Sequence, residues 1–286
     1  MALFSLLMAI LAERLKFLPE TWQFDTLIAK LHRRLWKDEF TQGQASEYQV
    51  LFALLLPAVL VYVALLLVSG IAWGLLTLAV WVLTAMVCFS HQEQRKAFKR
   101  YIQAACRGDT QACYRHGSEL DCSSCLEAVT ADELGLKVGQ SVAWINYRFY
   151  GAVALYLIAL GPVAAVLYCS VRYYEQMQKR SNLQLPYVDA LLTVLDWLPS
   201  RIFAFGYVLA GQFSSAFNRW RKLSFDLSTP ARQIVTETAT EAESIPQPSS
   251  APVCLQPTLV LLGLSKRNFI LLLAAVSLLT IFGVIN

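Results

Sequence analysis

Polar and apolar positions are strongly segregated along the chain. From Tyr48 to Ser90 there are 43 residues without a Lys, Arg, Asp, Glu or His. That length suits two helices of about 20 residues, each able to cross a hydrocarbon core of ~30 Å. Ser69-Gly70 is the natural turn between them, leaving spans over Tyr48–Val68 and Ala72–Phe89. Phe149–Val171 is a further 23 uncharged residues, with Gly161-Pro162 at its middle. Proline removes a backbone donor and clashes one turn back, which predicts a kinked span. Phe269–Ile285 is a last short span, anchored by Lys266 and Arg267.

Two segments are harder to place. Met1–Ala12 is apolar from its first residue, and Glu13 and Arg14 follow it. A signal peptide has its basic stretch before the apolar run, so the pattern predicts a retained, embedded first helix. Twelve residues rise only ~18 Å, so this helix enters partway or carries Glu13–Leu18 in with it. Tyr187–Leu209 holds eleven Leu, Ile, Val or Phe residues, but also Asp196, Pro199 and Arg201. Each apolar residue contributes roughly −0.3 to −0.6 kcal/mol to insertion, and each charge opposes it by about 2.5–3.5 kcal/mol. The terms nearly cancel. The helix therefore needs protein neighbours for its charges, and Pro199 is expected to break it.

The expected fold is all-α: a polytopic helical membrane protein with about four clear transmembrane helices and one or two short or broken embedded helices. Residues 1–90 form an embedded helix, an amphipathic loop and a transmembrane hairpin. Residues 91–148 form a cytoplasmic insert with helices over Gln92–Arg107 and Ala131–Asn146. Residues 149–220 hold the kinked span and the Asp/Pro/Arg helix. Residues 221–267 form a cytoplasmic linker, disordered over 228–257, where five of the ten prolines fall. Residues 268–286 form the last span.

Composition agrees. The chain is 56% hydrophobic and 15% charged, against ~45–50% apolar and ~25% charged in soluble domains. The net charge of +4 sits beside apolar blocks, which suits a lipid bilayer and not nucleic acid. Lys and Arg number six in 13–46, eight in 90–148 and six in 210–267, but three in 172–186. If both ambiguous helices cross, the three rich segments share the cytoplasmic side.

Cys106, Cys113, Cys122 and Cys125 lie within twenty residues, with His116 among them. Cys122-x-x-Cys125 has the spacing of a zinc half-site or a redox pair. The wider Cys106–Cys113 gap and a cytoplasmic location, where disulfides are rare, favour free thiols, and no metal is expected. Gly135-Leu-Lys-Val-Gly139 lacks the Lys-Ser/Thr of a phosphate loop. No cofactor and no catalytic residue is indicated. Ionisable residues at membrane depth are functional candidates by default, and these are Glu13, Asp189, Asp196 and Arg201.

Several blocks together resemble the AmpE family: Ala12-Glu13-Arg14-Leu15, Trp22-Gln23-Phe24-Asp25, His32-Arg33-Arg34, Trp144-Ile145-Asn146-Tyr147-Arg148-Phe149-Tyr150 running toward Gly161-Pro162, and Leu195-Asp196-Trp197-Leu198-Pro199-Ser200-Arg201. The resemblance implies a bacterial inner-membrane regulatory protein tied to β-lactamase induction. It also implies a protein partner in the AmpD amidase pathway and a cell-wall-derived ligand. Glu13, Asp25, Asp196 and Arg201 then form the expected polar pocket, supported by Trp144, Asn146, Arg148, Gly161, Pro162, Trp197 and Pro199. The Leu198–Arg201 stretch also resembles a Pro-Ala-Arg segment of the CobD/CbiB corrinoid-pathway membrane proteins. That makes a membrane-embedded synthase the first alternative and a small-molecule transporter the second. The chain lacks the His-Pro pair of those corrinoid enzymes.

Overall fold

A computed structural model describes residues 1–286 except 16–18, 37–45, 71–73, 90, 123–124, 126, 182, 245–251 and 284–286. It is 84% helical, with no strand among the described residues. Among the described residues, four helical stretches are long and apolar enough to cross a membrane: Glu47–Val68, one within Leu75–Cys106, one within Ala131–Leu160, and Gln256–Ile281. The contacts group the chain into two units. One comprises Met1–Ser90, Ala152–Asp196 and Val276–Asn286, the other His91–Gly151 and Trp197–Ala275.

The first unit begins with α1 (Ala2–Arg14) and α2 (Phe24–Trp36), followed by α3 (Glu47–Val68) and α4 (Leu75–Phe89). In α1, Ala2, Ser5, Leu6, Ala9 and Ala12 are buried on one face, while Phe4, Leu7 and Leu11 on the other are exposed. A helix that is apolar all round has lipid for solvent. The expected continuation of α1 into Leu18 lies outside the described residues. Ser46 caps α3 reciprocally: its hydroxyl accepts from Gln49 N at 3.4 Å, and the Gln49 side chain accepts from Ser46 N at 2.8 Å. The α3 surface is also apolar, with Leu51, Phe52, Leu60 and Leu67 exposed. Gly70, at φ +81°, supplies the turn expected after α3.

The kinked span expected over 149–171 is two helices instead. Gly161, at φ +82°, stands between α8 (Ala152–Leu160) and α9 (Pro162–Ser181), and the two pack on each other. The physical reason is the order of the residues. A left-handed glycine stops a helix, and a proline at a helix's first position begins one at no hydrogen-bond cost. Helix α9 then packs on α3 and α4, and α1 packs on α4.

The second unit holds α5 (Gln92–Cys106), α6 (Thr110–Ser118), α7 (Ala131–Asn146), α11 (Phe213–Ser224) and α12 (Ala231–Glu241). Helix α6 packs on α5 and α7, and α12 packs on α7 and α11. Tyr101, Cys113, Leu120, Leu134, Val138, Phe149 and Leu255 share its main core. Two expectations change here. The stretch read as a linker contains α12, which buries Ile234, Val235 and Ala239 on one face. Short threonines and a helical spacing of the few apolar residues allow a packed helix where the overall composition suggests none. The last helix, α13 (Gln256–Ile281), starts well before Phe269, so Lys266 and Arg267 lie within it, and Arg267 pairs with Glu243.

Gly135 and Gly139 bring α7 and the start of α13 together. A Cβ at Gly135 would stand 2.5 Å from the Cys254 carbonyl oxygen, and one at Gly139 2.8 Å from Leu261. Thr258 donates to the Gly135 carbonyl at 2.8 Å across this contact, and the Tyr101 hydroxyl donates to the Cys254 carbonyl at 2.6 Å. Small residues four apart let helix backbones approach in this way.

Candidate functional site

Helix α9 carries Tyr168, Arg172, Glu175 and Gln178 at helical spacing, and all four are buried. Arg172 is 0% exposed and lies 3.8 Å from Asp25 in the first turn of α2. Glu175 pairs with Lys179 one turn on. The Tyr168 hydroxyl donates to Asp196 Oδ1 at 2.9 Å. Gln178 donates to Asp189 Oδ2 at 2.8 Å and accepts from Leu185 N at 3.0 Å. Beside this stripe, Tyr174 and His32 Nδ1 are 3.3 Å apart. Burial holds His32 below the ordinary imidazole pKa, favouring its neutral form.

Helix α10 (Val188–Ala210) runs unbroken through Pro199, contrary to the expected break. Proline at 199 cannot donate to the carbonyl of Leu195, four residues earlier. The Tyr156 hydroxyl takes that carbonyl at 2.6 Å and removes the penalty of leaving it bare. Tyr156 is itself held by stacking on Tyr168, with ring centroids 5.3 Å apart.

Arg201 belongs to the second unit, and its partners there are main-chain oxygens. It donates to Trp197 O at 2.8 Å, Ser224 O at 3.0 Å and Asp226 O at 3.0 Å. Its guanidinium carbon lies 4.4 Å from the Trp197 ring centroid. The Ser224 carbonyl ends α11, so Arg201 caps that helix with a positive charge where the helix dipole is negative. The Trp220 indole returns a bond to Arg201 O at 3.0 Å.

Of the expected pocket residues, Asp25 is placed against Arg172 and Asp196 against Tyr168, while Arg201 clamps α11. Glu13 sits half-buried in the last turn of α1. Arg148 is 3% exposed, in a π-helical turn over Tyr147–Gly151, with its guanidinium 5.6 Å from the Trp144 ring centroid. Asn146 bonds back to Val142 O at 2.8 Å, stabilising its own helix. Gly161 and Pro162 form the helix junction described above.

The expected polar set omitted Arg172, Tyr168 and Glu175. Their signal is the Tyr168/Arg172/Glu175 spacing, which becomes visible once Gly161-Pro162 is read as a helix start. Taking the span to end at Val171 put Arg172 in the following loop.

Cys113, Cys122 and Cys125 share the core of the second unit. Cys122 and Cys125 form a disulfide with Cα atoms 5.3 Å apart, which corrects the reading of this pair as free thiols. The two Cα atoms stand within disulfide range, a geometry that the short spacing between the cysteines permits. Cys113 is buried, and desolvation pushes its thiol up to about 12. Cys106 is exposed, and His116 lies 3.3 Å from Glu119. Among the described residues, no three His, Cys, Asp or Glu side chains come together to hold a metal.

A family model described as "Regulatory signalling modulator protein AmpE" matches residues 1–286. The Protein AmpE of Shigella flexneri is 27% identical over 300 residues, covering 99% of this chain and 99% of that protein. No solved structure matches.

Proposed function

The chain belongs to the AmpE family of regulatory signalling modulators, and from that premise we propose that it acts in the bacterial inner membrane as a regulator of β-lactamase induction. Its proposed partner belongs to the AmpD pathway, and its signal is a cell-wall-derived fragment. It senses and relays; it does not catalyse.

One observation carries the choice between relay and reaction. Three of the four charges expected in the pocket are engaged in holding helices. Arg201 spends three donors on backbone oxygens, Asp196 takes a tyrosine hydroxyl, and Asp25 faces Arg172. A synthase of the corrinoid kind instead requires such charges to converge on a substrate. Helix-locking pairs of this kind build the scaffold in which a relay works, and leave the signal itself to other residues.

The test is β-lactamase activity with and without an inducing β-lactam, in a deletion strain and the same strain complemented. Deletion is expected to change the induced level, and the wild-type copy to restore it. Unaltered induction on deletion contradicts the proposal.

A further inference from the structure

The second unit contains a cavity that none of these roles uses. It has a volume of about 380 Å³ and is lined by Lys137, Gln140 and Ser141 of α7, Pro230 at the start of α12, and Arg232, Gln233 and Thr236 of α12. That volume is at the small end of ligand sites, which span ~300–1,000 Å³ and are mostly apolar. This lining is the reverse. Six of its seven side chains can donate a hydrogen bond, two of them are cations, and none is a carboxylate.

The donors are held in place. Arg232 donates to the Asp121 carbonyl and to Ser141 Oγ, at 2.5 and 3.3 Å, and lies 3.5 Å from the Asp121 carboxylate. Lys137 is anchored 3.1 Å from Glu133 one turn back. Gln140 donates to Thr240 of α12 at 3.2 Å, which ties α7 to α12 beside the site. Gln233 donates to Glu237 at 2.9 Å, and all three acidic partners, Glu133, Asp121 and Glu237, stand outside the lining. A ligand in the cavity therefore meets two cations, each shared with a carboxylate partner at its edge, with amides and hydroxyls beside them.

We propose that this cavity binds a small oxyanion carrying hydroxyl groups, with Lys137 and Arg232 on the anionic group and Gln140, Gln233 and Thr236 on the hydroxyls. A free sugar phosphate and the headgroup of phosphatidylglycerol share this chemistry. The site is independent of the embedded charges and of the regulatory role assigned above.

The test uses the full chain in phosphatidylcholine nanodiscs, with radiolabelled glucose 6-phosphate in equilibrium dialysis. One saturable site per protein is expected. Inorganic phosphate is expected to compete and uncharged glucose not to. Lys137→Gln is expected to weaken binding roughly tenfold, the worth of one charge-assisted contact. Lys137 is the better variant because Arg232 also holds the turn at Asp121. Gln233→Ala supplies a second, uncharged probe, with a weaker effect. Absence of saturable binding, or binding indifferent to both variants, overturns the proposal. Repeating the dialysis in phosphatidylglycerol nanodiscs separates the two sources. Lost sugar-phosphate binding there assigns the site to the lipid headgroup, and retained binding assigns it to a soluble ligand.

Discussion

Arg201 looks in the sequence like a charge awaiting a carboxylate, yet it is satisfied by three carbonyl oxygens and an indole face. Arg201→Ala strips the end of α11 of its cap and lowers stability by about 2–4 kcal/mol, since bonds to a charged donor are worth about 1.5–3 kcal/mol each and are not additive. Reduced accumulation and a lower melting temperature in detergent check this; an unchanged melting temperature contradicts it. Tyr156 offers a sharper case. Tyr156→Phe leaves the Leu195 carbonyl bare at a cost of about 1–3 kcal/mol. Pro199→Ala restores a backbone donor to that carbonyl, so the tyrosine change should cost less in that background, and a double-mutant cycle reads the coupling. The cysteines make a third prediction. The thiolate is the reactive form, so a maleimide at pH 7.5 should label exposed Cys106 and spare Cys113, whose pKa is pushed up to about 12 by burial. Labelling that survives Cys106→Ser at full level contradicts it.

At the scale of elements, the long uncharged runs were legible because a bilayer imposes length and polarity together. Helix α3 and the helix Ala131–Asn146 fall where the pattern puts them. What the pattern hid was set by tertiary partners. A Gly-Pro pair is a kink or a junction depending on whether the next helix can turn back and pack, as α9 does on α8. A proline breaks a helix unless a neighbour takes the orphaned carbonyl, as Tyr156 does. Gly135-x-x-x-Gly139 fails as a phosphate loop and serves as a packing face against α13. Gly139→Leu is accordingly expected to drive α13 from α7, measured as increased proteolysis of the segment before Gln256; protection equal to wild type contradicts it. Removing Ala231–Glu241 is expected to abolish accumulation, because α12 supplies Ile234, Val235 and Ala239 to packing. A linker there would tolerate the deletion.

For the molecule as a whole, the all-α membrane class and the family were legible, the first from composition and run length, the second from the order of several weak blocks. The grouping of those blocks was not. Asp25 and Asp196 share a unit with Arg172 and Tyr168, whereas Arg201 and Trp197 belong to the other unit. Only long-range contacts distinguish these memberships, since Asp196 and Trp197 are neighbours in sequence. Asp25, Arg172, Asp196 and Arg201 hold helices, and the regulatory role proposed above gives them no part in a reaction. The measurement that tests this most directly is β-lactamase induction, normalised to protein abundance, in a deletion strain carrying Asp196→Asn, Arg172→Met or Arg201→Ala. Induction is expected to fall only as far as abundance falls, so the normalised response matches wild type. Induction abolished at normal abundance would contradict it and make these charges part of the chemistry or the binding.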